Sequence, residues 1–106
     1  MNIKITSDEF LDYVIDILSP LYQVKTRKLF GGYGLYINGK IFALIAKQEL
    51  YFKASNQAME FLIKFDSEPF SYKKRDKIIK MSYWKVPAEI LENPELLQQC
   101  LSISLQ

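Results

Sequence analysis

Phe30-Gly31-Gly32-Tyr33-Gly34-Leu35-Tyr36-Ile37-Asn38-Gly39-Lys40-Ile41-Phe42-Ala43-Leu44 is the stretch whose reading decides the fold. Aromatic and β-branched residues, which suit a pleated surface, flank an Asn-Gly pair. A two-residue hairpin turn needs φ > 0 at both central positions, and Asn38-Gly39 meets that need at low cost. The stretch therefore predicts a hairpin with strands over Tyr33–Ile37 and Lys40–Ala46. In that register Ile37 faces Lys40, Leu35 faces Phe42 and Tyr33 faces Leu44, with Tyr36–Ile41 and Gly34–Ala43 on the opposite face. Gly31, Gly32 and Gly34 pack no side chain, so the strand either bends or lets another segment approach closely. The Gly34–Ala43 pair predicts a shallow spot that admits a helix or a partner's side chain.

Outward from the hairpin, Thr6-Ser7-Asp8-Glu9 reads as a capping box. Phe10, Leu11, Val14, Ile15, Ile17 and Leu18 follow at helical spacing, predicting a helix over 7–19 that ends at Ser19-Pro20. Residues 24–29 alternate Val, Thr and Leu with Lys and Arg, as a strand with a wet face does. Leu50–Lys53 continues the meander after the polar turn Lys47-Gln48-Glu49. Ser55 or Asn56 caps a second helix whose apolar set is Ala58, Met59, Phe61, Leu62 and Phe65. Phe70–Tyr72 is a short strand, Lys73-Lys74-Arg75-Asp76-Lys77 a charged turn, and Ile78–Val86 the last strand, stopped by Pro87. Ala88–Leu91 forms one helical turn, and Asn93-Pro94 opens a final helix with Leu96, Leu97, Cys100 and Leu101 on its apolar face. Short links between successive strands imply antiparallel pairing. The expected fold is α+β and two-layered: an antiparallel sheet of five or six strands packed by helices, principal order αβββαββα, in one domain over 1–106.

The 106 residues contain no histidine and one cysteine. These counts remove the commonest general base, any intramolecular disulfide and the usual zinc ligand sets. No signal-peptide-length or membrane-spanning apolar run occurs, so a cytoplasmic protein is expected, with no membrane partner. Charge is uneven. Residues 1–23 carry one Lys against four acids, 24–85 carry 13 Lys or Arg against five acids, and 86–106 carry three acids and no base. A basic middle between acidic ends steers anionic partners.

Taken in order, Arg27-Lys28-Leu29 before Phe30–Tyr36, then Gly39-Lys40-Ile41-Phe42-Ala43-Leu44, Leu50-Tyr51-Phe52-Lys53, Pro69-Phe70-Ser71-Tyr72 and Met81–Pro87 resemble the N-terminal domain of the TfoX (Sxy) family. Leu29 stands where that family usually has Met, and Gln99-Cys100 where a tryptophan and small residues are expected. The resemblance implies a fold similar to secretion chaperones. It also implies a regulatory role, in which members promote natural competence alongside the cyclic-AMP receptor protein. Longer members add a helical C-terminal domain; this chain, ending at Gln106, reads as a stand-alone version of the first domain.

Gly31, Gly32 and Gly34 run into a strand and not into a helix N-terminus, so they serve a bend or bulge and not phosphate binding. Lys73, Lys74, Arg75 and Lys77, with Tyr72, Tyr83 and Trp84, form a basic and aromatic segment over 72–85 that suits nucleic acid; the plainer reading is a solvated turn beside core aromatics. Tyr33, Tyr36, Tyr51 and Phe52 read either as an exposed patch or as core. Tyr83 and Trp84, being sequential, point to opposite faces, which makes one of them a surface candidate for a protein partner. Asp66 and Glu68 lack a third metal ligand, and Cys100 lacks an activating base. The leading expectation is a non-enzymatic regulatory or adaptor domain with an unidentified protein partner and no cofactor. A nucleic-acid module is second, and an enzyme or small-molecule binder at Gly34 and Ala43 third; a homodimer fits an open sheet edge.

Overall fold

The computed structural model describes residues 7–29 and 31–105; Thr6 of the expected capping box and Phe30 of the hairpin motif lie outside them. The elements are α1 (Ser7–Leu18), β1 (Lys25–Leu29), β2 (Gly32–Ile37), β3 (Lys40–Ala46), β4 (Glu49–Lys53), α2 (Asn56–Ile63), β5 (Pro69–Lys74), β6 (Lys77–Lys85), α3 (Ala88–Leu91) and α4 (Pro94–Ser104). The fold is α+β, as expected. Its antiparallel sheet has six strands in the order β1-β2-β3-β4-β6-β5. Four strands precede α2 and two helices close the chain, as the residue-by-residue reading has it; the condensed order αβββαββα leaves out one of those strands and the short helix. The chain divides into two compact units, Met1–Leu50 and Tyr51–Gln106.

In the first unit, α1 buries a single stripe. Phe10, Val14 and Leu18, four residues apart, are nearly or fully excluded from solvent, while Asp8 and Glu9 occupy the first turn near the positive end of the dipole. The helix closes through Ser19 N–H to the Ile15 carbonyl and Tyr22 N–H to the Leu18 carbonyl. The β2–β3 turn has φ +52 at Asn38 and +77 at Gly39, the conformation the Asn-Gly pair predicts. Beside the turn, Ile37 faces Lys40 and Tyr36 faces Ile41 as expected.

Beyond those pairs the register departs from expectation. Leu35 faces Ala43, Gly34 faces Leu44 and Tyr33 faces Ile45, because the register shifts between Leu35 and Tyr36 and β3 carries Phe42 as an extra residue. Phe42, Ala43, Leu44 and Ile45 are consecutive and all buried. Four buried neighbours mean that both faces of β3 are covered there, and the Phe42 bulge shifts the register within that covered stretch. The spot over Gly34 is also not open. A methyl group placed there would lie 3.2 Å from each of the Ile41, Leu29 and Tyr36 side chains. These residues fill the depression that the expected Gly34–Ala43 pair implied.

In the second unit, both helix caps form as the sequence predicts. The Ser55 hydroxyl accepts from Ala58 N–H at 3.3 Å, and Asn93 Oδ1 accepts from the N–H groups of Glu95 and Leu96 at 3.1 and 3.2 Å. Pro94 follows at the start of α4, where its missing N–H costs nothing. Ala58 and Leu62 of α2, Ile90 of α3, and Leu97, Cys100 and Leu101 of α4 are fully or almost fully buried. They sit where α2 and α3 pack on α4. Strand β6 pairs with β4 through Tyr51–Lys85, Phe52–Trp84 and Lys53–Tyr83, and with β5 along its other edge.

Candidate functional site

Strand β6 is nine residues long, but only Tyr83, Trp84 and Lys85 have partners on β4, with Ala54 N–H adding a bond to the Ser82 carbonyl. Its N-terminal half pairs with β5 alone: Lys77 with Lys74, Ile78 with Lys73, Ile79 with Tyr72 and Lys80 with Ser71. The result is a two-stranded ribbon over 71–80. The charged segment Lys73-Lys74-Arg75-Asp76-Lys77 is thus not one turn, as its composition suggests. Only Arg75-Asp76 forms the turn, with φ +57 at Arg75, while Lys73, Lys74 and Lys77 lie in strands. A run of cations hides a strand from composition-based reading, because long charged side chains sit comfortably on a strand that solvent reaches from both faces.

The ribbon's surface is unusual in two respects. Five bases, Lys73, Lys74, Arg75, Lys77 and Lys80, stand against one acid, Asp76, and all six are exposed. None of the five bases forms an ion pair with a described residue. Lys74 lies directly across from Lys77, and like charges in that position destabilise a strand pair. The ribbon also exposes apolar groups: Ile78 is 71% exposed and Tyr72 43%. Ile78 escaped the sequence reading; its only signal is a β-branched residue set among lysines.

The remaining candidates fall elsewhere. Tyr83 and Trp84 lie at the base of the ribbon, where β4 joins, and both are half-buried, so the expected split into one inner and one surface ring does not occur. Half-burial of two sequential rings, which alternate between faces, means that both faces of the sheet are partly covered there. Phe52 is wholly buried, which removes it from any aromatic patch; Tyr33, Tyr36 and Tyr51 are half-buried. Tyr51 packs edge-on against Phe70, with ring centroids 5.0 Å apart. The Tyr33 hydroxyl donates to Asp8 Oδ1, and this bond, ahead of desolvation and the nearby carboxylate charges, holds the phenol above its usual pKa. A second basic strip runs along β1, where Lys25, Arg27 and Lys28 are exposed on a sheet-edge strand. There the Arg27 guanidinium lies 5.8 Å from the centre of the Tyr36 ring, already engaged in a cation–π contact.

Burial pushes the Cys100 thiol up to about 12; the neighbouring Ser104 hydroxyl opposes the shift, although its oxygen makes no hydrogen bond of normal geometry. The folded protein is therefore expected to resist a disulfide reagent at pH 8 for hours and to react fully once denaturant is added. Thiol counting with and without denaturant checks this, and rapid labelling of the native chain would contradict the burial. Among the described residues, no group of three or more His, Cys, Asp or Glu could hold a metal ion, and no helix is long and apolar enough to cross a membrane.

Comparison with known proteins adds to this geometry. A family model described as the TfoX N-terminal domain matches residues 16–106. The chain is also 28% identical over 90 residues to Protein Sxy of Escherichia coli (strain K12), a match that covers 85% of this chain. It spans 43% of that relative's length.

Proposed function

Because the chain belongs to the TfoX N-terminal domain family, we propose that it is a non-enzymatic regulatory domain that works by contact with another protein, in the control of competence or transcription. The family match over 16–106 carries this reading. The chemistry of the chain is in keeping with it. There is no histidine, and the one thiol is buried and held neutral. The half-buried Tyr83 and Trp84 present the aromatic surface that protein interfaces favour.

The test uses a competence-promoter reporter in the source cells. Deleting the chain is expected to lower reporter output severalfold, and a plasmid copy to restore it. Unchanged output in the deletion strain overturns the competence role. Sedimentation of the purified chain with the same cells' cyclic-AMP receptor protein tests the contact directly. Co-migration is expected; two independent species at micromolar concentrations would count against that partner.

A further inference from the structure

We propose that the β5–β6 ribbon, residues 71–80, is a docking arm for double-stranded DNA that enters the major groove and is held by phosphates on both walls. This goes beyond the protein-contact reading, and its failure would leave that reading standing. Three observations carry it.

The first is shape. Past Tyr83, among the described residues, no third strand pairs with the ribbon. Two strands lie about 4.8 Å apart and rise about 3.3 Å per residue, so the Ser71–Lys74 arm extends about 13 Å. The major groove is about 12 Å wide and about 8.5 Å deep and admits a two-stranded ribbon. The second is the distribution of charge. Side chains alternate between faces, which puts Lys74 and Lys77 on one face and Lys73 and Lys80 on the other, with Arg75 at the tip. A flat anionic surface would need cations on one face only. Cations on both faces match a slot whose two rims are rows of phosphates.

The third is the set of features that cost stability in the free protein. Lys74 and Lys77 repel one another across the strand pair, and Ile78 leaves 71% of its surface in water. Phosphate contacts relieve the repulsion. Ile78 and Tyr72 gain apolar partners in the groove, where thymine methyl groups are exposed. Backbone contacts of this kind hold the protein on the duplex and carry no sequence preference themselves. The β1 strip is a weaker candidate, because Arg27 is already committed to Tyr36.

The experiment is fluorescence anisotropy of a labelled 20-base-pair duplex of mixed sequence, titrated with the full chain at 20–200 mM KCl. Each phosphate contact contributes about −0.9 to the slope of log K against log salt, so engagement of the five ribbon cations gives about −4.5. Affinity then falls about 500-fold between 50 and 200 mM. The variant K73Q/K74Q/K77Q is expected to reduce the slope to about −2 or shallower, while K25Q/R27Q/K28Q on β1 leaves it unchanged. Ile78→Ala is expected to weaken binding severalfold at constant slope. Circular dichroism melting verifies folding. Should the triple variant fail to fold, Arg75→Glu at the exposed turn replaces it, with the same direction expected. The proposal is overturned by no binding at 20 mM KCl, by a slope that the ribbon variant leaves intact, or by equal affinity of Ile78→Ala. Polyglutamate, or vesicles containing phosphatidylserine, binding at least as tightly as the duplex would also overturn it.

Discussion

Gly32→Ala is expected to cost at least about 3 kcal/mol, the upper end of what overpacking costs. A methyl group on Gly32 would lie 1.8 Å from the Ile45 carbonyl oxygen and 2.9 Å from its carbon, with Ala46 Cα at 3.2 Å. All three are backbone atoms of β3, so no rotamer change relieves the clash; the strands themselves must separate. A domain of this size has about 5–15 kcal/mol in all, so the variant sits near the edge of folding. Urea unfolding followed by circular dichroism measures the effect. Gly31→Ala is the matched control. Its site has no atom within 4 Å but holds φ at +76, so it costs only the left-handed conformation, about 1–2 kcal/mol. Equal midpoints for the two variants would show that β2 and β3 do not approach as closely as described.

Phe52→Ala is expected to cost about 3–5 kcal/mol. Phe52 is the largest wholly buried side chain among the described residues, on β4 opposite Trp84. Truncation removes the ring and leaves a void that rigid sheet neighbours close only in part, so the lost transfer energy and the cavity add. Thermal unfolding reads this as a fall of ~15 °C or more. Ile63→Ala, at a side chain 50% exposed, is expected to stay under about 1 kcal/mol in the same measurement. A Phe52 variant that melts with the wild type would remove Phe52 from the core.

The candidate site was only partly legible. The cations at Lys73, Lys74, Arg75 and Lys77 were visible as a run, and each proves exposed. Their arrangement was not, because a run of lysines is equally compatible with a loop and with a solvated strand. Tyr83 and Trp84 were grouped with that run by nearness in sequence; the structure places them where β4 adds a third strand, at the opposite end of the ribbon from Arg75. Ile78, the most exposed large apolar side chain among the described residues, carried no signal beyond being a β-branched residue among lysines. Exposure here follows from where β4 stops pairing, which no property of residue 78 records.

What the sequence by itself determined were the features that rest on a few adjoining residues. Asn38-Gly39 sets the hairpin because positive φ is cheap there, Ser55 and Asn93 set helix starts because their oxygens reach backbone N–H groups two or three residues on, and the α1 stripe follows from helical spacing alone. Only the tertiary structure decided the Phe42 bulge, the placement of β6 between β4 and β5, and the length of ribbon left without a third strand. These depend on strand pairing and core volume shared among residues distant in the chain. A local propensity is indifferent to which neighbour finally arrives, and that arrival settles whether Gly32 meets a carbonyl and whether Ile78 meets water.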